Sequence, residues 1–138
     1  TVRPAGGHAI YIDARAFAPH LAPLDYPGQS LVCELYRSGG VRTVEVGQLM
    51  RGRSTASGEL AVEHDLVRLA IPRRVYSSRH LAYVADVVIE TFAARAQLPA
   101  MRIVEEPAAL RHFGARLAPA SHTGRPRAAV AATAPALG

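Results

Sequence analysis

The sequence predicts an α+β domain, a small and mainly antiparallel sheet with helices packed on it. Three observations carry that expectation. The 138 residues suffice for one core and not comfortably for two. Short β-branched runs of period two are interspersed with two longer runs of helical period, in the order strand, helix, strand, strand, helix, strand, strand. With 49% apolar and 20% charged residues, the composition is that of a folded chain rather than a disordered one.

The first strand is "HAIYIDA", His8 to Ala14, introduced by Gly6 and Gly7. "FAPHLAPLDYP" holds three prolines and reads as a connection. From Pro27 a helix is expected, with proline at its start, Leu31, Val32, Leu35 and Tyr36 on one side, and Gly39 and Gly40 as its stop. "VRTVEVG", Val41 to Gly47, alternates as a strand does. "MRGRSTASGELAVEH" is a loop or wide hairpin connection, and Leu66 to Ile71 is the next strand. Ser77 or Ser78 suits the N-cap of the longest helix, whose Leu81, Val84, Ala85, Val88 and Phe92 share one face. Met101 to Glu106 and His112 to Ala118 are expected strands, with a helical turn opened by Pro107 between them. The expected domain covers residues 1–118. Residues 119–138 lose all periodicity to Ala, Pro and Gly and are expected to be a disordered tail.

All 16 basic residues are arginine, and lysine is absent. The net charge of +5 raises a polyanionic partner. Yet the arginines are scattered and lack the interleaved aromatic platforms of a nucleic-acid surface, so nucleic acid is not the expected partner. The single cysteine, Cys33, excludes an intrachain disulfide and fits a reducing compartment. No apolar run approaches the roughly 20 residues that span a bilayer, and "TVRPAGGH" is no signal peptide. A cytoplasmic protein with no membrane partner is expected. The absence of an initiating Met suggests a piece of something longer.

The six histidines lack the paired spacings of metal ligands, so no metal is expected. Gly52 and Gly58 bracket a loop without the Lys-Ser/Thr of a phosphate cradle. Arg68 is different. It interrupts "LVRLAI", where Val67, Leu69 and Ile71 point one way and Leu66, Arg68 and Ala70 the other. Its guanidinium leaves on the side away from the helices, where it could take a carboxylate through two parallel hydrogen bonds. From spacing alone, an exposed or salt-bridged strand arginine is the better reading.

Together, "GGHAIYIDA", "YPGQSLVCELYRSGGVRTVEVG", "LVRLAIPRRVYSSRHLAYVADVV" and "EEPAALRHFGARL" resemble the carboxy-terminal part of the pyridoxal-phosphate-dependent β-eliminating lyases, tryptophanase and tyrosine phenol-lyase. The four blocks run in one order from Gly6 to Leu117. The resemblance implies the small domain of a type I pyridoxal-phosphate enzyme, closing over a cofactor held by a larger domain. It also implies that Arg68 holds the α-carboxylate of the substrate amino acid. Val46 stands where the phenol-lyases carry an arginine and tryptophanases an aliphatic residue. His112 matches a tryptophanase histidine that is phenylalanine in the phenol-lyases, and Phe113 matches an aromatic that lines the substrate pocket. Both choices lean to tryptophan. His8, in the "GGH" motif, receives no role.

The same resemblance defines what is missing. That chemistry needs a lysine for the Schiff base with pyridoxal 5'-phosphate, together with an aspartate and a phosphate cup, all in the larger domain. Without lysine this chain is expected to be inactive by itself, its catalytic residues and cofactor site lying elsewhere. A larger cofactor-binding domain or chain, an aromatic amino-acid substrate and a homo-oligomer, the family tetramer, are the implied partners. An exposed apolar face, and with it self-association, is also expected. Three alternatives stay open: a non-catalytic binding or regulatory subunit, a tyrosine phenol-lyase-like activity, and an arginine-rich polyanion binder.

Overall fold

A computed structural model describes residues 1–120 apart from 5, 56 and 73. Strand β1, Ala9–Asp13, runs into a short helix α1, Ala14–Phe17, because the Asp13 carboxylate accepts from the backbone N–H groups of Arg15 and Ala16. Helix α2 spans Pro27–Gly39 and ends at Gly40, whose φ of 64° lets its N–H turn back to the carbonyls of Leu35 and Tyr36. Leu31 and Leu35 are buried as its period requires, while Tyr36 remains 60% exposed.

Next come strand β2, Val44–Val46, and the one-turn helix α3, Gln48–Arg51. The expected connection after it is a real hairpin of β3, Arg53–Thr55, and β4, Gly58–Leu60. Strand β5 is Leu66–Ala70. Helix α4, Ser78–Ala93, starts at the predicted cap: Ser77 Oγ accepts from His80 N–H, and His80 Nδ1 accepts the Ser77 N–H at 3.1 Å. Strand β6, Met101–Glu105, helix α5, Arg111–Gly114, and strand β7, Arg116–Pro119, complete the described fold. Ala120 N–H still donates to Ala100 O at 2.7 Å. The rest of the expected tail, from residue 121, lies outside the described residues.

The fold is α+β and every described strand pair is antiparallel, but the described strands form three sheets rather than one. The central sheet has the order β1-β5-β2, with Arg68 opposite Tyr11 on one side and Val44 on the other. Val67 and Leu69 point into the core with Ile12, Phe17, Leu31, Leu35 and Val87. Each such side chain contributes about 1.5–3 kcal/mol of burial. A second cluster of Tyr26, Leu49 and Met101 seats the β6–β7 ribbon.

Two expectations are corrected. His112 and Phe113 lie in helix α5 rather than in a strand, and the strand starts only at Arg116. The cause is distant in sequence: the Arg111 guanidinium reaches Glu59 at 2.8 Å and the Tyr26 hydroxyl, fixing a helical turn where the apolar run alone suggests extension. Helix α4 is rotated from the expected face: Val84 and Val88 of that face are half-buried against the core, but its centre falls at Val87 and Thr91. Val87 and Thr91 are its buried residues, whereas Leu81 and Phe92 are 39% and 44% exposed. Gly39 explains the rotation, because a Cβ there would lie 2.5 Å from Val87 Cγ2; its absence lets α4 press Val87 against the end of α2. No described helix is long and apolar enough to cross a membrane.

Candidate functional site

Arg68 is half-buried at the centre of β5, on the face opposite Val67 and Leu69. Antiparallel register puts Tyr11 and Val44 beside it, and Val46 one pair along, opposite Leu66. Among the described residues no carboxylate pairs with it. The Arg68 stem runs between an aromatic and an aliphatic cross-strand neighbour, and its guanidinium makes no side-chain hydrogen bond among the described residues.

Beside the outer edge of β2 lies a hollow of about 320 Å³. Val44, Leu49, Met50, His112 and Phe113 are among its walls, with Val32 and Gln29 of α2 at its side. Of the residues singled out in the sequence, His112 and Phe113 come together here, their ring centroids 4.0 Å apart. Arg68 and Val46 do not line this hollow; Val44 links the two places, since it pairs with Arg68 and also forms part of the wall. Sequence reading missed Val44, although its period-two relation to Val46 was the available signal. His8 stands outside both places, exposed ahead of β1, its carbonyl accepting from Ile71 N–H at 2.7 Å.

The position of His112 and Phe113 depends on a polar anchor beneath α5. Glu59 accepts from Arg111 at 2.8 Å, from Gln48 Nε2 at 2.6 Å and from the Tyr26 hydroxyl at 2.5 Å. Burial, and then the Glu59 carboxylate, push the Tyr26 phenol further up from its ordinary value, so it stays a neutral donor. Arg111 also approaches Glu106 at 3.4 Å.

A second polar feature that the sequence did not reveal is the pair of acids Glu45 and Asp65, of which Glu45 also lines the hollow. Both are buried, at 6% and 1% exposure. Glu45 accepts from the N–H groups of Leu49 at 2.8 Å and Met50 at 3.0 Å, tying β2 to the start of α3. Asp65 accepts from Gly28 N–H at 3.0 Å, tying the start of α2 to the entry of β5. A Cβ on Gly28 or Gly47 would collide with the Asp65 carboxylate, so glycine is what lets two chain segments close over it. Desolvation pushes the Glu45 carboxyl up to about 7 against the pull of its N–H partners, and Asp65 rises for the same reason. The two neighbouring carboxyls cannot both carry charge cheaply, so at least one keeps its proton near neutral pH.

The donor set does not suit pyridoxal phosphate on this chain alone. No lysine exists to form its Schiff base, and the hollow presents no arginine to its phosphate dianion. No described group of three or more His, Cys, Asp or Glu side chains is placed to hold a metal ion. What the arrangement offers is a half-buried guanidinium with no ion-pair partner among the described residues and, past Val44, a hollow walled by two aromatic rings.

No protein-family model matches the chain. Among curated proteins, it is 52% identical over 114 residues to a tryptophanase of Hyphomonas neptunium and 48% identical over 118 residues to a tryptophanase of Salinibacter ruber. To a tyrosine phenol-lyase of Lacrimispora saccharolytica it is 46% identical over 120 residues. These matches take in 83%, 86% and 86% of this chain. They take in only 25%, 25% and 26% of the other proteins, so the chain spans about a quarter of the length of the curated relatives it matches.

Proposed function

We propose that this chain, homologous to one quarter of the tryptophanases and tyrosine phenol-lyases, is the C-terminal substrate-binding domain of a tryptophanase-like lyase and is catalytically incomplete by itself. The whole reaction takes L-tryptophan and water to indole, pyruvate and ammonia. Pyridoxal phosphate, bound by a larger lysine-bearing domain, would supply the electron sink for breaking the Cα–H and side-chain bonds.

The share of this chain is to bind and orient. Arg68 grips the substrate α-carboxylate through both of its terminal nitrogens, fixing the Cα–H bond relative to the cofactor plane. Val46 offers an apolar surface to the ring, and His112 with Phe113 closes over it. The reading carries with it a cytoplasmic homo-oligomer and a folded portion over residues 1–118. The observation that supports it most is the half-buried guanidinium of Arg68, without an ion-pair partner among the described residues, on the face of β5 opposite the core. A phenol-releasing activity is the competing reading, favoured by the 46% identity to a tyrosine phenol-lyase.

The test is reconstitution. The lysine-bearing portion of the Hyphomonas neptunium relative, made as a separate chain and loaded with pyridoxal phosphate, is mixed with this protein. Indole and pyruvate from L-tryptophan, and phenol from L-tyrosine, are then measured. Indole release is expected only from the mixture, and Arg68→Lys is expected to lower kcat/KM about 100-fold through loss of the bidentate grip. Release by this chain alone, or indifference to Arg68→Lys, overturns the reading. Phenol in place of indole moves it to the competing substrate.

A further inference from the structure

We infer that the slot between α4 and the β1–β5 strand pair is the docking site for an apolar segment, bearing an acidic residue, of the polypeptide that carries the reactive lysine. The inference rests on the reading of this chain as one part of a lyase. Its starting point is the rotation of α4. With Val87 and Thr91 turned to the core, the stripe of Leu81, Val84 and Val88 faces Ile10, Leu69 and Ile71 across an open slot of about 630 Å³. Both walls are apolar; Val84 and Val88 are half-buried against the core at the floor of the slot, and Leu81 and Ile89 stay exposed along its mouth. Tyr83 and Ile89, 55% and 65% exposed, extend the same surface outward. An open space of this kind between a helix and a sheet forfeits contacts on both walls, which an apolar partner seated in it would restore.

Two observations select the occupant. The relatives join their matching quarter to about three quarters of further polypeptide, so in them this surface belongs to a much longer chain. The rim also carries charge of one sign: Arg42 borders the slot, no acidic side chain lines it among the described residues, and Arg42 has no ion-pair partner there. A second copy presenting the same rim would set arginine toward arginine, which disfavours self-pairing. A segment with an apolar stripe and a flanking Asp or Glu satisfies walls and rim together. From His80 to Ile89 the helical wall runs about 13 Å, enough for two to three turns of an apposed helix or for a short strand.

Overlapping peptides covering the unmatched three quarters of the Hyphomonas neptunium relative serve as the probe. At least one, apolar on one side and acidic beside it, is expected to bind in the micromolar range and to slow amide hydrogen exchange across residues 80–89. Leu81→Asp and Ile89→Asp alter exposed positions and are expected to keep the circular dichroism of the parent while weakening binding at least tenfold. Arg42→Glu is expected to weaken it severalfold, with recovery when the acidic residue of the peptide is changed to lysine. Absence of binding, binding indifferent to Leu81→Asp, or a discrete dimer abolished by Leu81→Asp overturns the docking proposal. Reconstituted indole release that survives Leu81→Asp in full removes the slot and leaves the lyase reading intact. Peptide binding without any indole from the mixture removes the lyase reading and leaves the slot.

Discussion

Arg68 and Glu45 show how far one residue's environment can depart from its sequence neighbourhood. Both sit in β-strands among valines, yet the alternation of the sheet sends Arg68 to the outer face and Glu45 beside Val67 toward the core. The Glu45 carboxyl is raised from an ordinary value near 4.5 to about 7, so between those values the folded chain holds a proton that the unfolded chain has released. The contribution is therefore complete below the lower value and lost as pH rises through the upper one, and it is on the order of 3 kcal/mol. Urea midpoints measured from pH 4.5 to 8 are expected to fall across that window and to flatten in Glu45→Gln. A rise over the same range would contradict the buried, protonated state. The direction of Arg68 was readable from the apolar rhythm of "LVRLAI", whereas nothing in "VEV" distinguishes a buried acid from an exposed one. That distinction is made by Asp65, Gly28 and the start of α3, which only the fold brings together.

Among the elements, helix α5 depends on contacts far away in sequence. Arg111 is tied to Glu59, 52 residues earlier, and to Tyr26, 85 residues earlier, with the Arg111 side chain only 11% exposed. Arg111→Met is expected to cost about 3 kcal/mol by leaving Glu59 without its cation, read as a lower thermal midpoint. It should also displace His112 and Phe113 and depress reconstituted activity more than Leu81→Ala does. The apolar run "HFGARLA" reads as a strand because no local signal records a salt bridge closed across half the chain. Helix α4 gives the complementary case. Its start and its helical character were legible in the Ser77 cap and the 3.6-residue rhythm, since both are local. Which face it buries was not, because the decision belongs to one missing Cβ on another helix, at Gly39. Elements with local causes were legible, and choices made between elements were not.

For the molecule as a whole, the apolar slot and the exposed Tyr83, Ile89 and Phe92 of α4 predict how the isolated chain behaves. It is expected to enhance the fluorescence of a polarity-sensitive dye. Light scattering should show association that grows with salt, as the basic rims are screened from one another. Leu81→Asp should suppress both signals, and a dye response unchanged by it would place the sticky surface elsewhere. The shape of such aggregates follows from the strand lengths. No described strand exceeds five residues, no described sheet exceeds three strands, and the outer strand β2 has only three residues. Edges this short are poor templates for fibre growth. Clumping of this protein should therefore be amorphous and thioflavin-negative, dissolving on chilling as apolar attraction weakens.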